Sequence, residues 1–320
     1  MSTQVKLADV TVENLQEQDL AEADHIFRLA FGTFIGIPDP ASFHQGADYV
    51  RTRWTTDRAG AFAAKIGGKL AGTNFATTWG SVGFFGPLTI HPDYWDRGIG
   101  KTLMTPIMEV FAERQVRHAG LFTFAQSQKH VGLYQKFGFW PRFLTAIMSR
   151  QVDPTATGER LETFSALSPD HRKEALEQSS NLTNQIYEGL DVAKEILAVT
   201  DQKLGDTLLI KEQDQLVGLA ICHAGEGSEA GPDVCYVKFG AVSSGSQGAA
   251  NFDRLLNACE AFATSRSLSR LLAGVNTART EAYEHLMSSG FKTDLQGVAM
   301  HRPNEPGFSR PDVYVIDDWR

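Results

Sequence analysis

The sequence predicts an α/β protein built as two tandem domains of one design, each a twisted mixed β-sheet flanked by helices. Three observations lead there. Short apolar runs bounded by turn residues alternate with segments of helical apolar spacing, in the same order in both halves of the chain. The pair Gly138-Phe139 returns as Gly290-Phe291, 152 residues on (138 to 290), and at that spacing Leu103, Ile107 and Val110 fall on Leu255, Cys259 and Phe262. A period of this size is that of a domain rather than a solenoid repeat, and 320 residues hold two domains of about 150 residues each. The expected divisions are 1–150 for the first domain, 151–166 for a linker containing Asp153-Pro154 and Gly158, 167–303 for the second domain, and 304–320 for a C-terminal loop and strand.

In the first half, residues 7–12 read as extended. A helix follows with Leu20, Ile26, Leu29, Ala30 and Phe31 apolar and stops at Gly32. Glu17, Asp19, Glu22 and Asp24 sit near its start, where carboxylates suit the positive helix end. Residues 36–40 read as a loop and 49–54 as a short helix. Gly67-Gly68 turns a hairpin between strands 61–66 and 70–78. One strand, 81–90, ends at His91-Pro92, because proline cannot extend a ladder. Leu103, Met104, Ile107, Met108 and Phe111 mark a helix, with Met104 and Met108 as core. A strand at 121–124, a helix at 129–137 stopped by Gly138, and a strand at 139–148 complete the unit.

The second half repeats this with strands at 208–211, 216–222 and 234–242 and a Gly/Ser-rich turn at 243–249. Next come a helix carrying Phe252, Leu255, Leu256, Cys259 and Phe262, a strand at 271–275, and a helix at 281–288 stopped by Gly290. Residues 303–311 read as a loop and 313–316 as a last strand. Asp317, Asp318 and Trp319 then dock back onto one domain with Trp319 as the anchor, the alternative being a role in lining a substrate cleft.

Composition narrows the function classes. The chain is 42% hydrophobic and 21% charged, in the globular range, with a net charge of −8 that argues against a general nucleic-acid binder. Cys222, Cys235 and Cys259 are too few and too scattered for a disulfide framework or a zinc site, so they read as core residues in a reducing compartment, and no metal is expected. No apolar stretch approaches the roughly 20 residues of a membrane span, and residues 1–20 are too polar for a leader. The expectation is a soluble cytoplasmic protein without a membrane or nucleic-acid partner. The oligomeric state is not legible.

The segment that carries chemistry runs from Gly86 to Thr102: a strand end, a glycine turn, and the start of a helix. Unpaired amides at a helix start carry partial positive charge and receive phosphate oxygens. Gly98 and Gly100 let the backbone approach closely, and Arg97 and Lys101 add charge. Gly100-Lys101-Thr102 matches the end of a Walker A loop, but that loop requires glycine where Trp95 stands. The dinucleotide-binding pattern requires a third glycine where Leu103 stands.

The segment resembles the acetyl-CoA-binding motif of the GNAT superfamily of N-acetyltransferases. There a strand ending Val-x-Pro is followed by Arg/Gln-x-x-Gly-x-Gly/Ala opening a helix; here stand Ile90-His91-Pro92 and Trp95-Asp96-Arg97-Gly98-Ile99-Gly100. A second block, Leu133-Tyr134-Gln135-Lys136-Phe137-Gly138-Phe139, is similar to the family's Leu-Tyr-x-Lys-x-Gly-Phe helix end. The resemblance covers about residues 8–150, and the second half resembles a diverged copy.

The resemblance implies a role for each matching residue. The backbone of Leu88, Thr89 and Ile90 would pair with the pantetheine arm, and one of its amides would stabilise the oxyanion. The amides of Arg97, Gly98, Ile99, Gly100, Lys101 and Thr102 would cradle the pyrophosphate. Tyr134 would be the general acid for the leaving thiolate. A small-molecule or peptide amine would attack acetyl-CoA, the cosubstrate, directly. Trp95 stands where the family has Arg or Gln, and residues 81–90 carry no Glu or Asp, where many members place a base. His91 and His130 read as a loop residue and a helix-start surface group.

In the second copy the glycine turns align at a spacing of 150 (98 to 248), where Gln247 and Asn251 replace Arg97 and Lys101, and at 152 Leu286 stands where the first copy has Tyr134. The second domain is therefore expected to be non-catalytic. The alternative for the whole chain is a catalytically silent acyl-CoA-binding sensor or scaffold.

Overall fold

The computed structural model describes residues 9–155 and 162–320. Leu7, in the expected first strand, and Gly158, in the expected linker, lie outside the described residues. The first half runs β1 (Val10–Asn14), α1 (Leu20–Ile35), α2 (Val50–Thr56), β2 (Ala61–Ile66), β3 (Lys69–Trp79), β4 (Val82–Phe85), β5 (Thr89–Ile90), α3 (Ile99–Glu113), β6 (His118–Thr123), α4 (Gln128–Gln135) and β7 (Trp140–Gln151). The second runs β8 (Glu162–Thr163), α5 (Pro169–Ile186), α6 (Ala193–Asp201), β9 (Gly205–Glu212), β10 (Gln215–Ala224), β11 (Val234–Val242), α7 (Gly248–Ser265), β12 (Arg270–Asn276), α8 (Thr280–Ser288), β13 (Lys292–Arg302) and β14 (Val315–Ile316). Both halves are mixed sheets flanked by helices, as the alternating pattern implies.

The strands join one continuous sheet in the order β1-β2-β3-β4-β6-β13-β7-β12-β11-β10-β9-β8, with β5 beside β3 and β14 beside β11. The last strands of the two halves are exchanged. β13 pairs with β6 of the first half, β7 pairs with β12 of the second, and the two pair with each other. Every strand at the junction therefore has partners on both sides, and no open edge is left there.

Each half buries two faces. In the first, α3 and α4 set Met104, Ile107, Phe111 and Tyr134 against Phe85, Leu121 and Phe139. α1 and α2 set Ile26, Phe27, Val50 and Trp54 against Ala61, Ala63 and Phe75 on the other face. In the second, α7 and α8 cover one face, with all three cysteines buried and free. α5 and α6 cover the other, in a core that Trp79, Val82 and Phe84 of the first half also enter.

Several boundaries differ from expectation for identifiable reasons. α1 continues through Gly32 and ends at Gly36, which has φ +76°. A Cβ at Gly32 would stand 2.3 Å from the Pro40 carbonyl oxygen, so this glycine admits the following loop rather than stopping the helix. The single strand expected over 81–90 is two strands. Gly86 takes φ +139° and Pro87 brings no amide to the ladder, so β4 ends at Phe85. β5 then moves to β3, with Gly72 opposite Ile90 and Thr73 opposite Thr89. β4 pairs with β6 from Val82 to Phe84, and beyond that the sheet splits, leaving a gap between β5 and the end of β6. Helices α5 and α6 and strand β13 are additions to the expected elements.

Candidate active site

The gap in the sheet is the middle of a cleft of about 880 Å³. Of the residues singled out in the sequence, Leu88, Thr89, Ile90, Arg97, Gly98, Ile99, Gly100, Lys101 and Tyr134 line it. Thr102 is outside the lining, and its hydroxyl donates to the Ile99 carbonyl at 2.7 Å. Gly98 takes φ +80° at the start of α3, a conformation that favours glycine. The Lys101 amide already donates to the Gly98 carbonyl at 3.0 Å.

Trp95 has a structural task here. Its indole N–H donates to the Ile90 carbonyl at 2.8 Å and ties the turn before α3 to the end of β5. Lys129 closes the turn from α4 by an ion pair to Asp96 at 2.5 Å. The Arg97 guanidinium lies 5.4 Å from the centre of the Tyr94 ring.

Tyr134 stands on α4, its ring 5.5 Å from that of Phe85, and is 8% exposed. Burial pushes its phenol well above the ordinary value, so it carries its proton throughout the physiological range. His130, one turn earlier, is half-buried and lines the cleft with its ring 4.8 Å from Phe34, which corrects its reading as a surface group. Burial, then Lys129, lowers its pKa and keeps it neutral. His91 accepts the Asp93 amide at its Nδ1, 3.2 Å away, and so closes the turn.

The C-terminal segment completes the wall. Trp319 and Arg320 both line the cleft. Trp319 lies so close to β6 that a Cβ at Gly120 would stand 2.1 Å from its ring. Behind the wall, Arg53 of α2 donates to the Gly86 carbonyl at 2.6 Å, to Glu229 at 3.0 Å and to the Arg320 carbonyl. Lys238 bridges Glu229, at 2.9 Å, and Glu195, at 2.7 Å. Burial alone would raise both carboxyls. Arg53 and Lys238 instead hold Glu229 far below the usual range, and Lys238 with His223 brings Glu195 to about 2. This buried cluster escaped the sequence reading because its members come from α2, α6, β11 and a loop, with no local spacing to reveal them.

The second half differs at the equivalent place. β11 and β12 pair from Val234 to Val237, matching the β4–β6 pairing 152 residues earlier (82 to 234). Where β5 leaves an opening, β14 fills it, with Ile316 opposite Gly240 and Val315 opposite Ala241. The start of α7 is also covered, since a Cβ at Gly248 would stand 2.9 Å from the Tyr314 ring. Leu286 is fully buried and Tyr283 packs half-buried on the same core.

Residues 23–139, which span α1 to the glycine stop after α4, match the family model described as the acetyltransferase (GNAT) family. They form a GNAT-family domain. Three solved structures share the fold of the GNAT domain and its second copy together. A Pyrococcus horikoshii protein assigned as an acetyltransferase superposes with a TM-score of 0.71 at 13% identity, over 100% of this chain and 98% of its own. A GCN5-related N-acetyltransferase from Sphaerobacter thermophilus gives 0.59 at 13% identity, over 93% and 96%. One from Anabaena variabilis gives 0.51 at 14%, over 92% and 72%. A search of curated protein sequences finds no match. GNAT domains are acyl-transfer folds, and no helix of the described residues is long and apolar enough to cross a membrane.

Proposed function

We propose that the protein transfers an acetyl group from acetyl-CoA to a primary amine, in the cleft of the first half. The observation that carries this reading is one of convergence. A glycine-initiated helix start, the β5 edge facing the gap, and a protonated buried tyrosine all open onto the same cleft.

In this reading the amides of Gly98, Ile99 and Gly100 and the side chains of Arg97 and Lys101 hold the pyrophosphate at the start of α3. The backbone of Leu88, Thr89 and Ile90 aligns the pantetheine arm along the gap and supplies an amide to the carbonyl oxygen as it gains charge. The amine nitrogen bonds to the carbonyl carbon, the carbon–sulfur bond breaks, and Tyr134 gives its proton to the departing sulfur. The apolar wall that raises the phenol also disfavours a free thiolate, so the proton moves between two groups penalised by the same surroundings. The amine's surplus proton leaves to water, and water returns a proton to the Tyr134 oxygen. We assign catalysis to the division 1–150 and a silent role to 167–303; the seating of β14 against Gly240 and Ala241 supports that assignment.

The test is release of free thiol from acetyl-CoA by purified protein with and without amines. Amine-dependent release is expected, and its loss in Tyr134→Phe would accompany it. A second reading, a silent acyl-CoA-binding sensor or scaffold, draws on one observation. Among the described residues that line the cleft, the one carboxylate side chain is that of Asp96, which sits at the phosphate end and is held by Lys129. Tight acetyl-CoA binding without turnover on any amine would favour it.

A further inference from the structure

The cleft passes through the sheet, and its far end is unlike its phosphate end. On the side of α1 it is walled by Phe27, Phe31, Phe34, Phe43, Tyr49 and Trp319. The rings pack on one another: Phe31 stacks on Phe43 with centroids 5.4 Å apart and planes 11° apart, and Phe34 meets Phe124 at 5.0 Å. Resting on the acyl-transfer reading above, we propose that the acceptor is a monoamine carried on an aromatic body, an arylalkylamine, rather than a polyamine or a basic peptide.

The argument is one of shape and charge together. Flat aromatic walls receive a ring in stacked or edge-on contact and gain area burial as well. Their faces also attract a single ammonium on approach. A second or third ammonium finds no partner. Four carboxylates near this end are engaged by other groups: Asp48 accepts the Arg51 amide at 2.8 Å, and three more are paired as follows. Asp24 is held by Arg28 at 2.7 Å, and Glu229 by Arg53 and Lys238. Asp318 takes the Tyr236 hydroxyl at 3.0 Å and Arg320 at 3.3 Å. Arg320 itself lines the cleft. His44 lines the cleft too, and burial first, then Arg320 and Arg28, lowers its pKa. An additional ammonium there would give up water while the neighbouring carboxylates already have partners. A net charge of −8 for the whole chain therefore does not describe this pocket.

The test compares 2-phenylethylamine and tryptamine with spermidine and a lysine-rich peptide, at saturating acetyl-CoA, alongside a mixed set of small polar amines. The expected kcat/KM is at least about ten-fold higher for the arylalkylamines. Phe34→Asp, which adds a carboxylate to the far end, should shift the ratio toward spermidine by about ten-fold or more; Phe31→Asp serves if that variant does not fold. A preference for spermidine, the peptide or the polar amines in the unaltered protein overturns the proposal and leaves the acyl-transfer reading standing. No amine-dependent thiol release with any amine, while acetyl-CoA still binds, overturns both.

Discussion

Ile316 pairs with Gly240 at the place in the second half where Leu88 faces open cleft in the first, 152 residues earlier. The duplication thus built two gaps in one sheet, and the chain's own C-terminal segment fills one of them and lines the other. The same segment sets Asp318 against Gly274, where a Cβ would stand 2.3 Å from its side chain, and Trp319 against Gly120. These two glycines are there for close approach. Gly120→Val should displace Trp319 and destabilise the fold by roughly 1–3 kcal/mol, as overpacking does. A melting temperature unchanged from that of the unaltered protein would show that Trp319 does not depend on this seat.

Tyr134→Phe removes the phenol oxygen and leaves the ring against Phe85. Acetyl-CoA affinity should stay within about two-fold, while kcat falls by about 10²-fold or more, the lower range for a general acid. Equal loss in kcat and affinity would make Tyr134 a binding residue and remove it from the proton transfer.

Arg53 joins Gly86, Glu229 and Arg320 from a position 5% exposed. Arg53→Ala leaves the Gly86 carbonyl and part of Glu229 without a donor, and the expected loss is about 3–5 kcal/mol in denaturant unfolding. Arg53→Lys should recover only part of it, because one ammonium cannot span the three acceptors that the planar fork reaches. Full recovery by lysine would reduce the site to simple charge.

Acid should loosen the exchanged strand first. His118 of β6 and His301 of β13 face each other at 3.1 Å, and burial brings their pKa values to about 4 and about 3. In the unfolded chain both titrate near 6.5. The contribution is complete above that value. It is lost as pH falls from about 6.5 toward 4, because the unfolded chain takes up protons that the folded one refuses. Glu195 adds a second loss between its ordinary value and about 2. Calorimetric melting should show a fall on the order of 5 kcal/mol between pH 7 and 4.5. A flat profile over that interval would mean the two histidines are solvated.

What was legible in the sequence followed from local rules. Helical spacing at Leu103, Ile107 and Phe111, the turn at Gly67-Gly68 and the glycine stop at Gly138 each depend on neighbours within a few residues. The glycine-initiated helix start at Gly98 was legible for the same reason. The break in the strand at Gly86-Pro87 had its signal in plain view, since a proline inside a run argues against a continuous strand. Ser168-Pro169 likewise marks the start of α5, an N-cap followed by proline in the first turn. Trp95 could not be assigned from spacing alone: its indole serves the backbone of Ile90, a bond that depends on how the turn folds. The exchange of β7 and β13 and the Arg53–Glu229 pair join residues more than 100 positions apart, and the β14 plug joins residues 76 apart (240 to 316); no period or propensity encodes such meetings.

The central claim is that one gap works and the other is filled. Calorimetric titration of acetyl-CoA into the purified protein reads this directly. The account predicts one site per chain, abolished by Gly98→Asp, which sets a carboxylate where the phosphates would lie. Two sites per chain, or one site that survives Gly98→Asp, would contradict it.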